Sequence, residues 1–408
     1  MRLELLTSPR GWISVDQLSH RIRRAISVPP FDSSVLEACH DLSQRILRDP
    51  HARRFPELLS LAFWMRKTEL HRLRTQFDAL AREDRLLVPR GTVFHLPPRN
   101  VDTMFVYSWL LSAVTGNCNI IRLPRERSDS TEQLLAYFHD ALEQASGPAR
   151  DTTWVVSYGH EQEITEALSS LSDVRVIWGG DATVSAIRAC RMPPHTHELV
   201  FADRFSLAII KSTEYRTLTE TQRDDLAKQF FNDSFWFDQM ACSSPRLVVW
   251  CGTEQEANVL SADFFQRVDN YAQRQLAIHP SRSMHRFVAT CAVILDRPVN
   301  QTNRLPALTV LSLTTLQEFD RNHPGGGIFL QARIDELNQL ASVLNRKDQT
   351  LTAFGFNEHE LRAFARNLNG RALERIVPFG QALEFGRFWD GHDLLHAFCR
   401  NVFIQTRA

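Results

Sequence analysis

Over residues 1–90 apolar positions recur every three to four residues. The run from Ser33 to Asp49 opens with a serine pair in a position to cap a helix. The run from Phe55 to Glu83 repeats the pattern over a longer stretch. Both predict helices, and residues 1–90 read as a helical layer packed on a later sheet. From about residue 91 the rhythm changes. Short apolar runs at 93–97, 117–123, 153–158 and 174–178 read as strands, and 100–114, 131–145, 161–171 and 182–190 read as the helices between them. Strands that alternate with helices in this way form βαβ units and a mostly parallel, doubly wound sheet, whose crest binds nucleotides. A second α/β region follows. It has strands at 206–212, 246–252, 307–314, 327–334 and 351–356, and helices at 219–231, 253–277 and 359–368. The expected boundary between the regions lies near residue 200.

Composition narrows the function classes. The 408 residues carry 47 basic and 47 acidic side chains. A net charge of zero leaves no electrostatic footprint for nucleic acid or an anionic membrane. The longest apolar stretch, 104–114, is far short of the roughly 18 residues a membrane span needs. The N-terminus lacks the apolar core of a secretory signal, so a cytoplasmic protein is expected. The 7 cysteines are odd in number and none is in CxxC spacing. Free thiols are therefore expected, with neither a disulfide framework nor a zinc site.

Candidate chemistry is sparse. The chain has no GxGxxG and no P-loop. Gly116-Asn117 precedes the strand at 117–123, and Gly179-Gly180-Asp181 separates the strand at 174–178 from the helix at 182–190. Either glycine site suits a phosphate approaching a helix N-terminus, or simply a tight turn. Cys242 lies in Phe237-Asp238-Gln239-Met240-Ala241-Cys242-Ser243-Ser244-Pro245, a loop with small polar neighbours that would leave the sulfur accessible. Cys118, Cys251 and Cys291 lie in or beside apparent strands and read as buried hydrophobes. His195-Thr196-His197-Glu198 reads as a solvated loop rather than a metal site, and His95 as a packing or hydrogen-bonding residue rather than a base.

Taken together, several segments resemble the LuxC-type acyl-CoA reductases of the aldehyde dehydrogenase superfamily. They are Gly91…His95…Asn100, Gly116-Asn117-Cys118-Asn119-Ile120-Ile121-Arg122, Trp178-Gly179-Gly180-Asp181, Gln239-Met240-Ala241-Cys242-Ser243-Ser244-Pro245, the stretch from Arg375 to Leu383, and Trp389-Asp390-Gly391. The resemblance spans about residues 50–400. It implies an aldehyde-dehydrogenase-like α/β fold: two doubly wound, Rossmann-like domains with an N-terminal helical layer. Residues 1–200 would hold the helices and the NADP-binding domain, completed by part of 370–408. Residues 201–370 would form the catalytic domain, with the active site in the cleft between the domains.

The resemblance makes Cys242 the nucleophile that takes the acyl group as a thioester. Asn100 matches the superfamily's side-chain oxyanion donor; its other reading is an N-cap for the helix at 100–114. The cofactor-binding residues implied are Arg122, Arg125, Gly179 and Gly180. Arg122 and Arg125 fall where NAD-specific relatives place a lysine and a glutamate near the ribose, which implies NADPH. The alternative is that Glu126 takes the ribose role after a one-residue shift. The water-activating glutamate of aldehyde-oxidising members falls on or near Val200, with Glu198 two residues away. Its absence implies a reductase that reduces a fatty acyl thioester, from acyl-CoA or an acyl-carrier, to the aldehyde. An acyl-activating enzyme partner and a homo-oligomer are also implied. Two competing functions are an NAD(P)-dependent aldehyde dehydrogenase and a catalytically silent subunit of an acyl-transfer complex.

Overall fold

A computed structural model describes residues 1–82, 84–145, 147–276, 280–317 and 319–406. The ends of two expected helices, at Glu83 and Ala277, lie outside the described residues. The chain forms two compact units. The first comprises Met1–Ala202 with Phe385–Ala408, and the second Asp203–Glu384.

The first unit does not start with helices. Strands β1 (Arg2–Leu5) and β2 (Gly11–Ser14) pair as an antiparallel hairpin. The signal was the strict alternation of Leu3 and Leu5, both buried, with Arg2 and Glu4. Helix α1 (Val15–Arg24) follows, closed by a reciprocal cap between Ser14 and Gln17, and then α2 (Ser33–Arg48). The run expected as one helix over 55–83 is two, α3 (Pro56–Trp64) and α4 (Lys67–Asp78), with Arg66 extended between them. A straight helix of that length would reach about 40 Å. The break instead turns Leu58 and Leu61 of α3 and Leu70, Leu73 and Phe77 of α4 into the same core.

Strand β3 (Arg85–Pro89) pairs with the terminal strand Cys399–Phe403, outside the main sheet. Then β4 (Thr92–Leu96), α5 (Met104–Val114), β5 (Cys118–Leu123), α6 (Asp129–Gln144), the single turn α7 (Gly147–Asp151), β6 (Thr153–Ser157), α8 (Gln162–Ser169), β7 (Val174–Trp178), α9 (Asp181–Arg188) and β8 (His197–Phe201) complete the doubly wound half. The seven strands lie in the order β2-β1-β6-β5-β4-β7-β8, and β4 to β8 are parallel. β8 replaces the loop expected around His197. Every residue of α5 is buried, because it lies between the sheet and the α2–α4 layer.

The order reverses between β4 and β7. Successive strands step from β4 through β5 to β6 on one side, and β7 and β8 return on the other. This is a topological switch point, and the carboxyl ends of β4 and β7 open a crevice there. Below it runs a buried polar network. Trp178 Nε1–H donates to Ser108 Oγ (3.3 Å), Ser108 O–H donates to His95 Nδ1 (2.7 Å), and His95 Nε2–H donates to Asn119 Oδ1 (3.0 Å). Asn119 donates to the Asn117 carbonyl (2.8 Å). The Asn117 amide donates to the Ser112 and Phe398 carbonyls, and its oxygen accepts from Gly91 N–H. The C-terminal segment is thereby fixed to the first unit. There Trp389 packs against Tyr107 and Trp178, whose ring stacks on Phe201.

The second unit repeats the architecture. Its elements are β9 (Phe205–Lys211), α10 (Ser212–Thr217), α11 (Glu220–Ser234), β10 (Pro245–Cys251), α12 (Glu254–Gln275), α13 (Pro280–Asp296), β11 (Val299–Arg304), β12 (Thr309–Leu313), β13 (Ile328–Ile334), β14 (Asp348–Phe354), α14 (Glu358–Asn367) and β15 (Arg375–Pro378). The sheet runs β11-β12-β13-β10-β9-β14-β15, parallel except for the edge strand β11. Phenylalanines pack one face against α11 and α12, with Phe230, Phe264, Phe265 and Phe329 joined through successive ring contacts.

Burial pulls the His95 imidazole down to about 4. Between pH 6.5 and 4 the unfolded chain takes up this proton and the folded one does not, so stability is lost as pH falls through that window. The expected loss is about 3 kcal/mol. In urea denaturation His95→Gln should show a flatter pH dependence across the window by that amount; equal slopes would refute the buried neutral imidazole.

Candidate active site

The crest of the first unit gathers the residues expected to bind cofactor. Asn100 is exposed on the loop that leaves β4, and Gly179-Gly180 follows β7, so both stand at the carboxyl ends of the strands that flank the switch point. Asn100 does not cap α5, since Thr103 occupies the N-cap position. Gly180 is the N-cap of α9, which has no side-chain cap hydrogen bond, and a Cβ at Gly180 would stand in open space. Backbone N–H groups at an uncapped helix start, with no side chain in front of them, suit a pyrophosphate.

Arg122 and Arg125 extend from the end of β5 to the loop after β6. Arg122 donates to the carbonyls of Tyr158 (3.3 Å) and Gly159 (2.7 Å), and its guanidinium lies over the Tyr158 ring. It thus shapes the neighbouring loop. Arg125 pairs with Glu161 at 2.9 Å, both half-exposed. Glu126 faces Arg99 at 3.6 Å. These residues fit a dinucleotide lying across the crest. Beside them a groove of ≈ 270 Å³ runs between the loops after β4 and β5, walled by Arg99, Asp102, Glu126 and Arg127.

Cys242 sits at the opposite end of its own sheet. The loop between α11 and β10 lies over the amino ends of β9, β10, β13 and β14. Its backbone is unusual, for Phe237, Asp238 and Gln239 hold φ values of 54, 53 and 64° in succession. Left-handed backbone costs a residue with a side chain about 1–2 kcal/mol. Gln239 offsets the cost. Its buried amide donates to the Pro245 and Ile328 carbonyls (3.1 and 2.9 Å) and its oxygen accepts from Gly327 N–H (3.1 Å). Opposite lies a second left-handed run, Gly325-Gly326-Gly327, with φ of 70, 67 and 79°. Gly326 N–H donates to the Asp238 carbonyl at 3.0 Å. Glycine is required at 325, where a Cβ would stand 2.6 Å from the Asp238 oxygen and 2.7 Å from the Met240 sulfur.

Two more anchors hold the loop and the helix that leads into it. Ser206 O–H donates to the Cys242 carbonyl (2.6 Å) and accepts from Thr350 N–H (3.2 Å). Asp233, near the end of α11, accepts from Gly380 N–H (2.7 Å) and Ala382 N–H (2.9 Å). Burial pushes its carboxyl up to about 7 against the pull of those two donors. Sequence reasoning missed Ser206, Asp233 and the glycine run. A His-Pro-Gly-Gly-Gly stretch before an apolar strand was the available signal.

The seven thiols differ sharply. Cys39, Cys118, Cys190, Cys251 and Cys399 are buried, and Cys242 and Cys291 are not. Burial pushes Cys39 and Cys399 up to about 12 and Cys118 to about 11, so these remain thiols. Cys291, expected in or beside a strand, lies on helix α13. Among the described residues, buried polar atoms without a partner are scattered through the chain, and Ser243 Oγ, Ser244 Oγ, Arg246 Nε and His323 Nε2 are the ones in the segments around Cys242.

Glu198 occupies strand β8, where one oxygen meets Arg175 Nη2 at 2.5 Å and the other Arg188 Nε at 2.7 Å. Burial pushes its carboxyl up, but the two guanidinium groups outweigh that and hold it below the usual range. A carboxylate paired this way is a poor proton acceptor, so Glu198 is not placed to activate water.

Two α/β units of this kind define the aldehyde dehydrogenase fold. An oxidoreductase from Marinobacter aquaeolei superposes with a TM-score of 0.68 at 11% identity, over 99% of this chain and 94% of that one. The NADP-dependent glyceraldehyde-3-phosphate dehydrogenase of Bacillus halodurans C-125, complexed with NADP, gives 0.63 at 16% identity, over 98% and 94%. An NAD-dependent aldehyde dehydrogenase from Sinorhizobium meliloti gives 0.64 at 12% identity, over 97% and 88%. The chain belongs to the acyl-CoA reductase (LuxC) family, whose profile matches residues 71–401, and is an oxidoreductase of the acyl-CoA/aldehyde level. No curated protein matches it. Among the described residues no helix is long and apolar enough to cross a membrane, and no three His, Cys, Asp or Glu side chains gather into a metal site.

Gly325→Ala should cost on the order of 1–3 kcal/mol in urea denaturation and lower turnover, because its methyl group collides with the Cys242 loop. Gly326→Ala, whose Cβ meets nothing, should cost only about 1 kcal/mol. Equal effects at the two positions would contradict the interlock of the two left-handed runs.

Proposed function

We propose that the protein reduces a fatty acyl thioester, carried on CoA or an acyl-carrier, to the aldehyde with NADPH, through an acyl-Cys242 intermediate. The observation that carries this reading is the presentation of Cys242 on a backbone held out of its preferred conformation, while five of the other six thiols are buried. Structural strain of this type accumulates where geometry serves chemistry.

Cys242 attacks the thioester carbonyl, and the C–S bond to the donor breaks, releasing its thiol. The oxyanion formed on the way is stabilised by the backbone N–H of Cys242 and, as the resemblance assigns it, by the Asn100 amide. The nicotinamide, when bound, supplies the hydride. The reduced carbon then carries hydrogen, an oxyanion and the Cys242 sulfur, and its collapse expels the thiolate and frees the aldehyde. The resemblance puts the water-activating glutamate on or near Val200, and Glu198 is held between two arginines, so neither residue draws a proton from water. That favours reduction over hydrolysis and argues against an aldehyde dehydrogenase running toward acid.

The crest would hold the cofactor through Gly179, Gly180 and the α9 N-terminus, with Arg122 supporting the adjoining loop. Arg125 is the residue for the 2′-phosphate. Its present partner Glu161 forms a half-exposed pair, worth at most about 1 kcal/mol, which a phosphate dianion can displace. An acyl-activating partner and a homo-oligomer remain part of the proposal, to be tested by co-sedimentation and by sedimentation of the protein alone.

Two experiments test this reading. Cys242→Ala should abolish aldehyde formation with folding intact, and Asn100→Ala should lower turnover by about 10²–10³ at unchanged melting temperature. Aldehyde production by Cys242→Ala at a comparable rate would refute covalent catalysis. Arg125→Glu should raise KM for NADPH and leave that for NADH unchanged or lower; equal use of the two cofactors by the unmodified protein would refute the preference.

A further inference from the structure

Arg246 is a cation in an unexpected place. It is 4% exposed, at the start of β10 and four residues after Cys242. Among the described residues it forms no ion pair. Its one hydrogen bond runs from Nη1 to the Arg204 carbonyl at 3.0 Å, its Nε has no partner, and its guanidinium faces the Phe205 ring at 5.9 Å. A buried guanidinium without a carboxylate is costly, and chains keep one where an anion forms beside it. The two residues that hold Arg246, Arg204 just before β9 and Phe205 at its start, adjoin Ser206, which holds the Cys242 carbonyl. Cys242 and Arg246 are thus gathered onto one corner of β9.

We propose that Arg246 is a positioning residue for Cys242: its buried charge keeps the sulfur as a thiolate before any acyl donor binds. The proton leaves to solvent, Cys–SH giving Cys–S⁻, and no protein base takes part in the attack. This rests on Cys242 being the nucleophile.

The surrounding charges agree. Burial lowers the Arg246 pKa, and the Cys242 and Asp203 charges raise it. The coupling is mutual, so a sulfur that stabilises the guanidinium has its own ionised form stabilised by it. Asp203 is exposed and Arg204 half-buried. His323, buried against the Phe205 ring, accepts from Gly325 N–H on Nδ1 (3.0 Å), and burial followed by the Arg246 and Arg297 charges holds it far below the usual imidazole range. It stays neutral, so it does not compete with Arg246 as the cation or act as the base near neutral pH.

The test is the pH dependence of Cys242 alkylation by iodoacetamide, read by peptide mass spectrometry without acyl donor or cofactor. In the unmodified protein the midpoint should fall at least one unit below the roughly 8.5 of a free thiol. Arg246→Gln keeps a donor for the Arg204 carbonyl and removes the charge. It should move the midpoint up by at least one unit and slow alkylation at pH 7 roughly tenfold, and Arg246→Lys should restore most of the rate. An ordinary midpoint in the unmodified protein overturns the proposal whether or not the variants fold, as does an unchanged midpoint in folded Arg246→Gln. An acyl-CoA that leaves no adduct on Cys242 despite a low midpoint refutes the covalent mechanism and leaves the Arg246 effect standing.

Discussion

The interlock of two left-handed backbone runs decides where the Cys242 sulfur sits. Phe237, Asp238 and Gln239 adopt a conformation that each resists by about 1–2 kcal/mol. They hold it because Gly325-Gly326-Gly327 presents a surface without Cβ atoms against which the turn can close. Gln239 then uses both amide hydrogens and its oxygen on the frame around the loop, each bond contributing about 0.5–1.5 kcal/mol. The constraint reaches outward from there. β13 begins at the glycine run, β10 begins just after Cys242, and Ser206 ties β9 to the Cys242 carbonyl and to β14. The amino edge of the second sheet is organised around a thiol, whereas the first unit uses the carboxyl edge of its sheet.

In the first unit the decisive interaction is polar and buried. Asn117 joins the start of β4, the end of α5 and the distant Phe398 carbonyl. His95 and Asn119 carry the chain on to Ser108 and Trp178. A fully partnered network of this kind specifies one arrangement, because any alternative leaves a buried group unpaired. The network fixes Trp178, and the glycines at the head of α9 follow directly. The C-terminal Trp-Asp-Gly segment packs on Trp178 and so takes part in positioning the crest.

Much of the fold was legible because parallel strands buried on both faces read as continuous apolar runs between helices of clear period, as at 117–123 and 174–178. What escaped had a weak or conflicting local signal. β1 and β2 were hidden in a stretch dominated by helical periodicity, and β8 in a polar segment around His197. The break at Arg66 has no glycine or proline to announce it and comes from the shape of the core. At the site, Cys242 and the Gly179-Gly180 turn could be named from resemblance. Ser206 and Asp233 could not, since a serine before an apolar strand and an aspartate late in a helix become anchors only when the chain brings Cys242 and Gly380 to them. His95 and Asn117 illustrate the reverse: residues that carry the resemblance in the sequence turn out to build the scaffold under the crest.

In the mechanism proposed above, the clamp on Glu198 and the partial exposure of Cys242 meet in one consequence, an acyl-enzyme that persists until it is reduced. Its most direct test is intact-protein and peptide mass spectrometry after mixing with a fatty acyl-CoA, without cofactor and then with NADPH. The account predicts one acyl group on Cys242, stable in water and released as aldehyde when NADPH is added. No adduct, an adduct on another residue, or release as free acid before reduction would contradict it.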